Sequence, residues 1–291
     1  MLLENKNIAI TGGGRGIGRA VAIACAKEGA NIGLIALEQE ELDTTKADIE
    51  AASATVKIST RAADVTNFAE MEAAFNGLNE ELGLFNGVCA NAGASSKKES
   101  HEFEPAEFAR IINVNILGVF NTFKAAYPVM NKEAKDDKAR FIITGSAAYP
   151  LVMPKFAAYS SSKWAVVGLQ KTLAFEYTKE NITFNMVSPT MVDTRLLRGH
   201  KAGDGQKPST VMDPEELPVY FIFFLLPESN KMTDTVLDVN EFMNVRKVID
   251  AAPPEAKESW EAFSAYFEQK EKGLAQSTRK LKRMIEWFLK Q

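Results

Sequence analysis

Thr11-Gly12-Gly13-Gly14-Arg15-Gly16-Ile17-Gly18 stands between an apolar run, Asn7–Thr11, and a segment of helical spacing, Gly16–Glu28. In that segment Ile17, Ala20, Val21 and Ala24 share one face. Glycines at 12, 14, 16 and 18 let the main chain turn tightly and approach a pyrophosphate closely. The anion then rests on the helix N-terminus, where N–H groups lack partners. The spacing is G-x-x-x-G-x-G through Gly12, Gly16 and Gly18, not the commoner G-x-G-x-x-G, and Gly14 makes it denser. Lying between a first strand and its helix, the loop reads as a nucleotide cradle, not a bare turn.

Working outward, strand-like and helix-like segments alternate. Further strands are predicted at Asn31–Ala36, Val56–Ala62, Phe85–Ala90, Arg140–Thr144, Thr183–Val187 and Val236–Val239. Helices are predicted at Glu38–Ala52, Asn67–Leu82, Pro105–Met130 and Lys155–Lys179. Strands joined by long helical crossovers imply an α/β fold, a doubly wound parallel sheet of Rossmann type, with ligands at the carboxyl ends of the strands. Thr190–Pro214 breaks the rhythm as a lid-like loop. The expected organisation is one dinucleotide-binding and catalytic domain over 1–242 and a helical C-terminal extension over 243–291.

In the extension Leu281, Met284, Ile285, Phe288 and Leu289 recur at helical spacing, with Lys280, Lys282, Arg283 and Lys290 around them. This apolar face could dock on its own domain, pair with another subunit, cover the substrate pocket or touch a membrane. The first two are expected and membrane contact is not.

The 291 residues are 46% hydrophobic and 25% charged, which excludes a largely disordered chain. A net charge of −4 gives no basic field for nucleic acid, and no nucleic-acid partner is expected. Cys25 and Cys89 make no disulfide framework, and with only His101 and His200 no metal site is expected. Met1–Asn7 lacks the pattern of a secretory signal, and Val219–Leu226 is far too short to span a bilayer. The expected location is cytoplasmic.

Tyr159-Ser160-Ser161-Ser162-Lys163 places a phenol and an ammonium four residues apart, on one helix face. Bringing a tyrosine from its reference pKa of ~10 to act near neutrality requires ~4 kcal/mol. One cation at ~4 Å in an effective dielectric of ~20 contributes about that much, and a cationic nicotinamide would add to it. Ser146 ends the fifth strand, thirteen residues before Tyr159, at the edge where the cofactor is expected. Ala90-Asn91-Ala92-Gly93 follows the fourth strand at the same edge, and Asn115 lies in the long helix.

With these motifs in order the chain resembles the short-chain dehydrogenase/reductase family over about residues 3–242. The likeness rests on the glycine loop, Asp64-Val65, Ala90–Gly93, Asn115, Ser146, Tyr159/Lys163, Pro189 and Thr194. It implies an NAD(P)(H)-dependent oxidoreductase that interconverts a ketone and a secondary alcohol. Tyr159 would be the general acid or base, Lys163 would lower its pKa and hold the nicotinamide ribose, and Ser146 would hydrogen-bond the substrate oxygen. Asn115 would support a water linking Lys163 to solvent. Gly12, Gly14, Arg15, Gly16, Ile17 and Gly18 would cradle the coenzyme, with Asp64 and Val65 at the adenine. Asn91, Ala92 and Gly93 would line it, and Pro189 and Thr194 would reach its carboxamide side. A non-catalytic dinucleotide-binding sensor or scaffold is the alternative on the same fold. Within the enzyme class, 3-oxoacyl-thioester reduction is the other.

Two departures matter. The second strand ends Ala36-Leu37-Glu38, without the carboxylate or the cation that discriminates NAD(H) from NADP(H). Arg15 tilts the choice to NADP(H) against Glu38, Glu40 and Glu41. The chain also lacks the Gly-Gly pair with which relatives follow the last strand. Because that region often packs in their oligomers, a homo-oligomer is expected but its order is open. Phe156, Met153, Met191, Leu196 and Leu197 suggest an apolar wall for a small-molecule carbonyl or alcohol substrate.

Overall fold

The computed structural model describes residues 1–53, 55–134, 137–270 and 281–291. Seven strands, β1 (Asn7–Thr11), β2 (Asn31–Ala36), β3 (Ile58–Ala62), β4 (Gly87–Ala90), β5 (Ala139–Thr144), β6 (Ile182–Ser188) and β7 (Thr235–Asp238), form one sheet. Every pairing is parallel and the order is β3-β2-β1-β4-β5-β6-β7. The chain runs outward from β1 to β3 and then returns to place β4 on the other side of β1. The crevice at the carboxyl ends of β1 and β4 is therefore the switch point of the sheet, and the doubly wound reading stands.

Alternate strand residues feed two cores, because successive side chains point to opposite faces. Ile8, Ile10, Ile32, Leu34, Ile142 and Val187 pack on one face with α1 (Gly16–Lys27) and α2 (Gln39–Ala52). Ala9, Ile35, Phe141, Ile143, Phe184 and Met186 pack on the other with α3 (Phe68–Leu82). Asn67 caps α3, its side chain accepting from the N–H groups of Ala69 and Glu70.

The expected single helix over 105–130 is broken into α4 (Pro105–Ile112), a π-turn at Asn113–Leu117 and α5 (Gly118–Ala126). Pro128 then helps to end it within a 3-10 turn, since proline lacks the N–H that would extend the ladder. The next helix, α6 (Ala157–Glu176), begins two residues later than its sequence spacing suggested. The lid carries a short helix, α7 (Arg195–Arg198), and is closed at its base. There the Asp193 N–H donates to Met212 and the Met212 N–H donates to Met191. Arg198 ties the interior of the lid to Asp193 and Asp204, each at 2.9 Å.

Of the apolar run Val219–Leu226, all but Leu226, which caps its C-terminal end, falls in a buried helix, α8 (Pro218–Leu225). It is followed by α9 (Val239–Ala251), α10 (Pro254–Lys257), α11 (Trp260–Lys270) and α12 (Lys282–Leu289). The apolar face of the last helix docks on its own domain. The Phe288 ring lies 5.3 Å from Phe242 and 6.4 Å from Tyr220, and Trp287 lies 5.7 Å from Phe223. Arg246 covers Phe288 at 4.3 Å. Met284, Ile285 and Phe288 thus join the core shared by α1 and α8, so this face is not free for a membrane or for the substrate pocket. Lys280 lies outside the described residues. Among the described residues no helix is long and apolar enough to cross a membrane.

Candidate active site

The glycine loop leaves β1 at the crevice with Gly12 at φ 64° and Gly16 at φ 54°, a region that side chains disfavour. Gly18 passes so close to the loop that a β-carbon there would stand 2.2 Å from the Gly12 carbonyl oxygen. Arg15 takes the N-cap position of α1 and ion-pairs with Glu41 at 2.5 Å, while Ile17 packs against the core. This close-set, positive-φ loop opening a helix fits a dinucleotide pyrophosphate.

Asn91 knots three strand ends together. Its Nδ2 donates to the carbonyls of Thr11 (3.1 Å) and Gly12 (3.3 Å), and its Oδ1 accepts from Thr144 Oγ1 at 3.0 Å. The Thr11 hydroxyl in turn accepts from the N–H groups of Asn91 and Ala92. Gly93 follows, lying 3.4 Å from Asn115 Oδ1 and 3.9 Å from the lid's Leu196, each measured from a β-carbon built on it. Asp64 bonds Thr66 through N–H and hydroxyl at 2.8 Å each, leaving the cap of α3 to Asn67. Val65 is buried beneath it, its carbonyl held by Asn121 at 2.9 Å. The Pro189 carbonyl accepts from the N–H of Ala147 at 2.8 Å, and Thr194 stands at the N-cap position of α7 beside Gly16, its hydroxyl turned back to the Val192 carbonyl.

Around Tyr159, in the first turn of α6, the expected constellation meets. The Ser146 hydroxyl beside the Tyr159 phenol pulls its pKa down, but burial outweighs this and holds the phenol above its ordinary value. Lys163 is only 6% exposed and donates to the Thr144 carbonyl at 2.9 Å. Burial pushes the Lys163 ammonium down to about 8. Its Nζ stands 5.6 Å from the Tyr159 ring centre. Burial thus moves both groups towards their neutral forms, the phenol up and the ammonium down, while the ammonium is anchored to the strand.

Asn115 is buried and almost fully engaged. Its Nδ2 donates to the Ala94 carbonyl (2.9 Å) and to Ser162 Oγ (2.8 Å), and its Oδ1 accepts from the Ala94 N–H (2.8 Å). Ser162 passes the link to the Tyr159 carbonyl at 2.6 Å. The π-turn swings Asn115 into this position. Phe156 lies 6.3 Å from Tyr159, and Met191 and Leu196 are exposed on the lid.

Sequence reading passed over Thr11, Thr144 and Ser162. Hydroxyl residues at strand ends and inside the Tyr159–Lys163 interval were the available signal. Cys25 and Cys89 are buried free thiols, burial pushing Cys89 up to about 12. Among the described residues no cluster of three His, Cys, Asp or Glu side chains could hold a metal.

The short chain dehydrogenase family profile matches residues 6–204. The chain is 34% identical over 206 residues to 2-(S)-hydroxypropyl-CoM dehydrogenase 3 of Xanthobacter autotrophicus, covering 71% of this chain and 79% of that one. It is 30% identical over 248 residues to the 3alpha-hydroxysteroid dehydrogenase of Mediterraneibacter gnavus, covering 82% and 97%. The 3-ketoacyl-(acyl-carrier-protein) reductase from Brucella melitensis, solved with NADH, superposes with a TM-score of 0.73 at 28% identity, over 81% of this chain and 97% of that one. Strand order, glycine loop and matched relatives agree: this chain belongs to the short-chain dehydrogenase/reductase family, oxidoreductases of alcohol and carbonyl groups that use NAD(H) or NADP(H).

Proposed function

We propose that the protein interconverts a ketone and a secondary alcohol at Tyr159, with Ser146, Lys163 and Asn115 completing the site. The observation that carries this reading is the convergence of Tyr159, Ser146 and Lys163 at the carboxyl edge of β5. The dinucleotide, when bound along Gly12–Gly18, Asp64–Val65, Asn91–Gly93, Pro189 and Thr194, supplies or accepts the hydride.

In reduction the Tyr159 hydroxyl gives its proton to the carbonyl oxygen as charge develops there, and in oxidation the phenolate takes it from the alcohol. Ser146 Oγ donates to the same oxygen, which favours the charged transition state over the neutral ground state. The Lys163 cation stabilises the phenolate left behind and holds the nicotinamide ribose. Asn115 is a positioning residue on the path by which Lys163 exchanges protons with solvent.

The substrate reading is a small carbonyl or alcohol with an apolar body, supported by Phe156 beside Tyr159 and by the exposed Met191 and Leu196 of the lid. Residues 1–242 form the catalytic unit and 243–291 an extension that completes its core. The protein works as a homo-oligomer through α6, where Trp164, Gly168 and Phe175 lie on one face; Trp164 is 48% and Phe175 84% exposed.

The test follows the near-ultraviolet absorbance of reduced nicotinamide with NADH and NADPH against a panel of ketones that includes a 3-oxoacyl thioester. Wild type oxidises one reduced coenzyme, and Tyr159→Phe binds it within about twofold but turns over ~10³-fold slower. Equal turnover by Tyr159→Phe overturns the assignment. Coenzyme binding without turnover on any ketone turns the reading to a sensor.

A further inference from the structure

Beside Tyr159 the molecule carries a charge that proton transfer does not use. Two loops meet there: the one after β4, residues 91–99, and the one before α6, residues 145–156. The Lys98 N–H donates to the Lys155 carbonyl at 2.9 Å and ties them together. Lys155 stands at φ 70°, in the left-handed region that side chains disfavour, and this forced turn delivers the next residue, Phe156. The exposed Lys97 places its ammonium over the Phe156 ring, 6.0 Å from the ring centre. The same ring stands 6.3 Å from that of Tyr159. Phe156 is thus the common neighbour of the phenol and the cation.

The lysines around Lys97 have carboxylates of their own. Lys98 pairs with Glu107 of α4, and Lys155 pairs with Glu99 at 2.9 Å. Glu102 turns back to the Glu99 N–H at 3.2 Å. Lys98 and the Ser96 hydroxyl hold the Glu107 carboxyl below its ordinary range, so the residues on both sides of Lys97 are turned to α4. Lys97 lies over Phe156 instead, and among the described residues it has no ion pair. A ring at that distance is at the outer reach of cation–π attraction, which leaves the charge available to another partner.

We propose that Lys97 determines substrate specificity by receiving a carboxylate, so that the protein acts on a ketone or alcohol whose apolar body ends in that anion. This rests on the ketone–alcohol reading above and names the class of substrate. The reacting oxygen has Tyr159, the body has the half-buried Phe156 ring, and the far end meets an ammonium with three N–H donors. One ring separates cation from phenol, so the charge acts on binding and orientation and leaves proton transfer to Tyr159. Because Lys97 is open to water, the attraction is moderate and screened by salt.

The test measures initial rates of the full chain with reduced coenzyme on pairs of unbranched methyl ketones that end in a carboxylate or in its primary amide. Each pair shares its length and carbonyl and differs in charge. At the chain length that reaches Lys97, wild type shows kcat/KM at least about tenfold higher for the acid than for the amide, and the ratio shrinks as salt is raised. Lys97→Gln brings acid and amide within about twofold of each other, Lys97→Arg keeps most of the preference, and Lys97→Glu reverses it. The change falls on KM and not on kcat, since the ammonium binds ground state and transition state alike. Matching thermal melts establish that the variants fold. Equal rates on acid and amide in wild type, or a preference that survives in Lys97→Gln, overturns the inference and leaves the ketone–alcohol reading intact. Turnover of other ketones but of neither member of any pair likewise removes the inference alone, and turnover of none overturns both.

Discussion

The Lys163 ammonium donates to the main-chain carbonyl of Thr144 at 2.9 Å, two residues ahead of Ser146 on the same strand end. The bond pins the helix that carries Tyr159 to the strand end that leads to Ser146, so Tyr159, Ser146 and Lys163 share one rigid frame. Thr144 also donates through its hydroxyl to Asn91, which extends the frame to the glycine loop. The glycine loop and the proposed proton-transfer groups are thus coupled through Asn91 and Thr144.

Burial of Lys163 has a consequence for stability. Its ammonium falls to about 8 in the folded chain, against about 10.4 when unfolded, so between these values the unfolded chain binds more protons. Its contribution to stability therefore rises with pH across that window, and the full cost of burying the cation, on the order of 3 kcal/mol, is present below about pH 8. Lys163→Met removes the titration. Denaturant unfolding of the coenzyme-free protein shows the variant gaining most on wild type near pH 7 and losing that gain towards pH 10. A difference that does not change with pH contradicts the assignment.

The glycine loop tolerates no side chain at Gly18, where a β-carbon would meet the Gly12 carbonyl oxygen at 2.2 Å and Asn91 Nδ2 at 2.7 Å. Gly18→Ala is expected to weaken dinucleotide binding by more than about tenfold, because main chain has to move. Asn91→Leu strands two carbonyls and the Thr144 hydroxyl, with an expected loss of ~2–4 kcal/mol. Calorimetric titration checks the first and urea denaturation the second.

On the exposed face of α6, Trp164 and Phe175 flank Gly168, which has no neighbour within 4 Å of a built β-carbon. The double variant Trp164→Glu/Phe175→Glu places charge where a second subunit would pack. Sedimentation velocity is expected to move from an oligomer to the monomer mass, with folding retained. An unchanged mass places the contact elsewhere.

In the extension, Phe288 is buried among Phe242, Tyr220 and Trp287. Phe288→Ala is expected to cost ~3–5 kcal/mol of stability while leaving turnover at low temperature within about twofold. Thermal unfolding and initial rates, read on the same preparation, test it. A melt unaltered by the substitution would mean that the extension adds nothing to the core.

The sequence by itself determined the fold class and the roster of the candidate site. Alternating apolar runs with long helical connections admit little besides a parallel sheet covered on both faces. The glycine loop, Asn91, Ser146, Tyr159 and Lys163 each carried a local sign: a turn needing glycine, a strand end, or a shared helix face. Such signs lie within a few residues of one another, so they survive without coordinates.

What only the tertiary structure decided depends on groups far apart in the chain. The split of the 105–130 helix at a π-turn brings Asn115 within reach of Ala94 and Ser162. The docking of 281–289 on Tyr220, Phe223 and Phe242 picks one of several partners that the same apolar stripe could take. Tyr159 sits under burial that outweighs the help of Ser146, although its spacing from Lys163 suggested a lowered phenol. Arg15, read alone as a phosphate ligand, shares Glu41 with an arginine from the lid. The reason is common to all four: burial and charge are summed over everything the fold brings together, and sequence spacing reports only what lies on the same element.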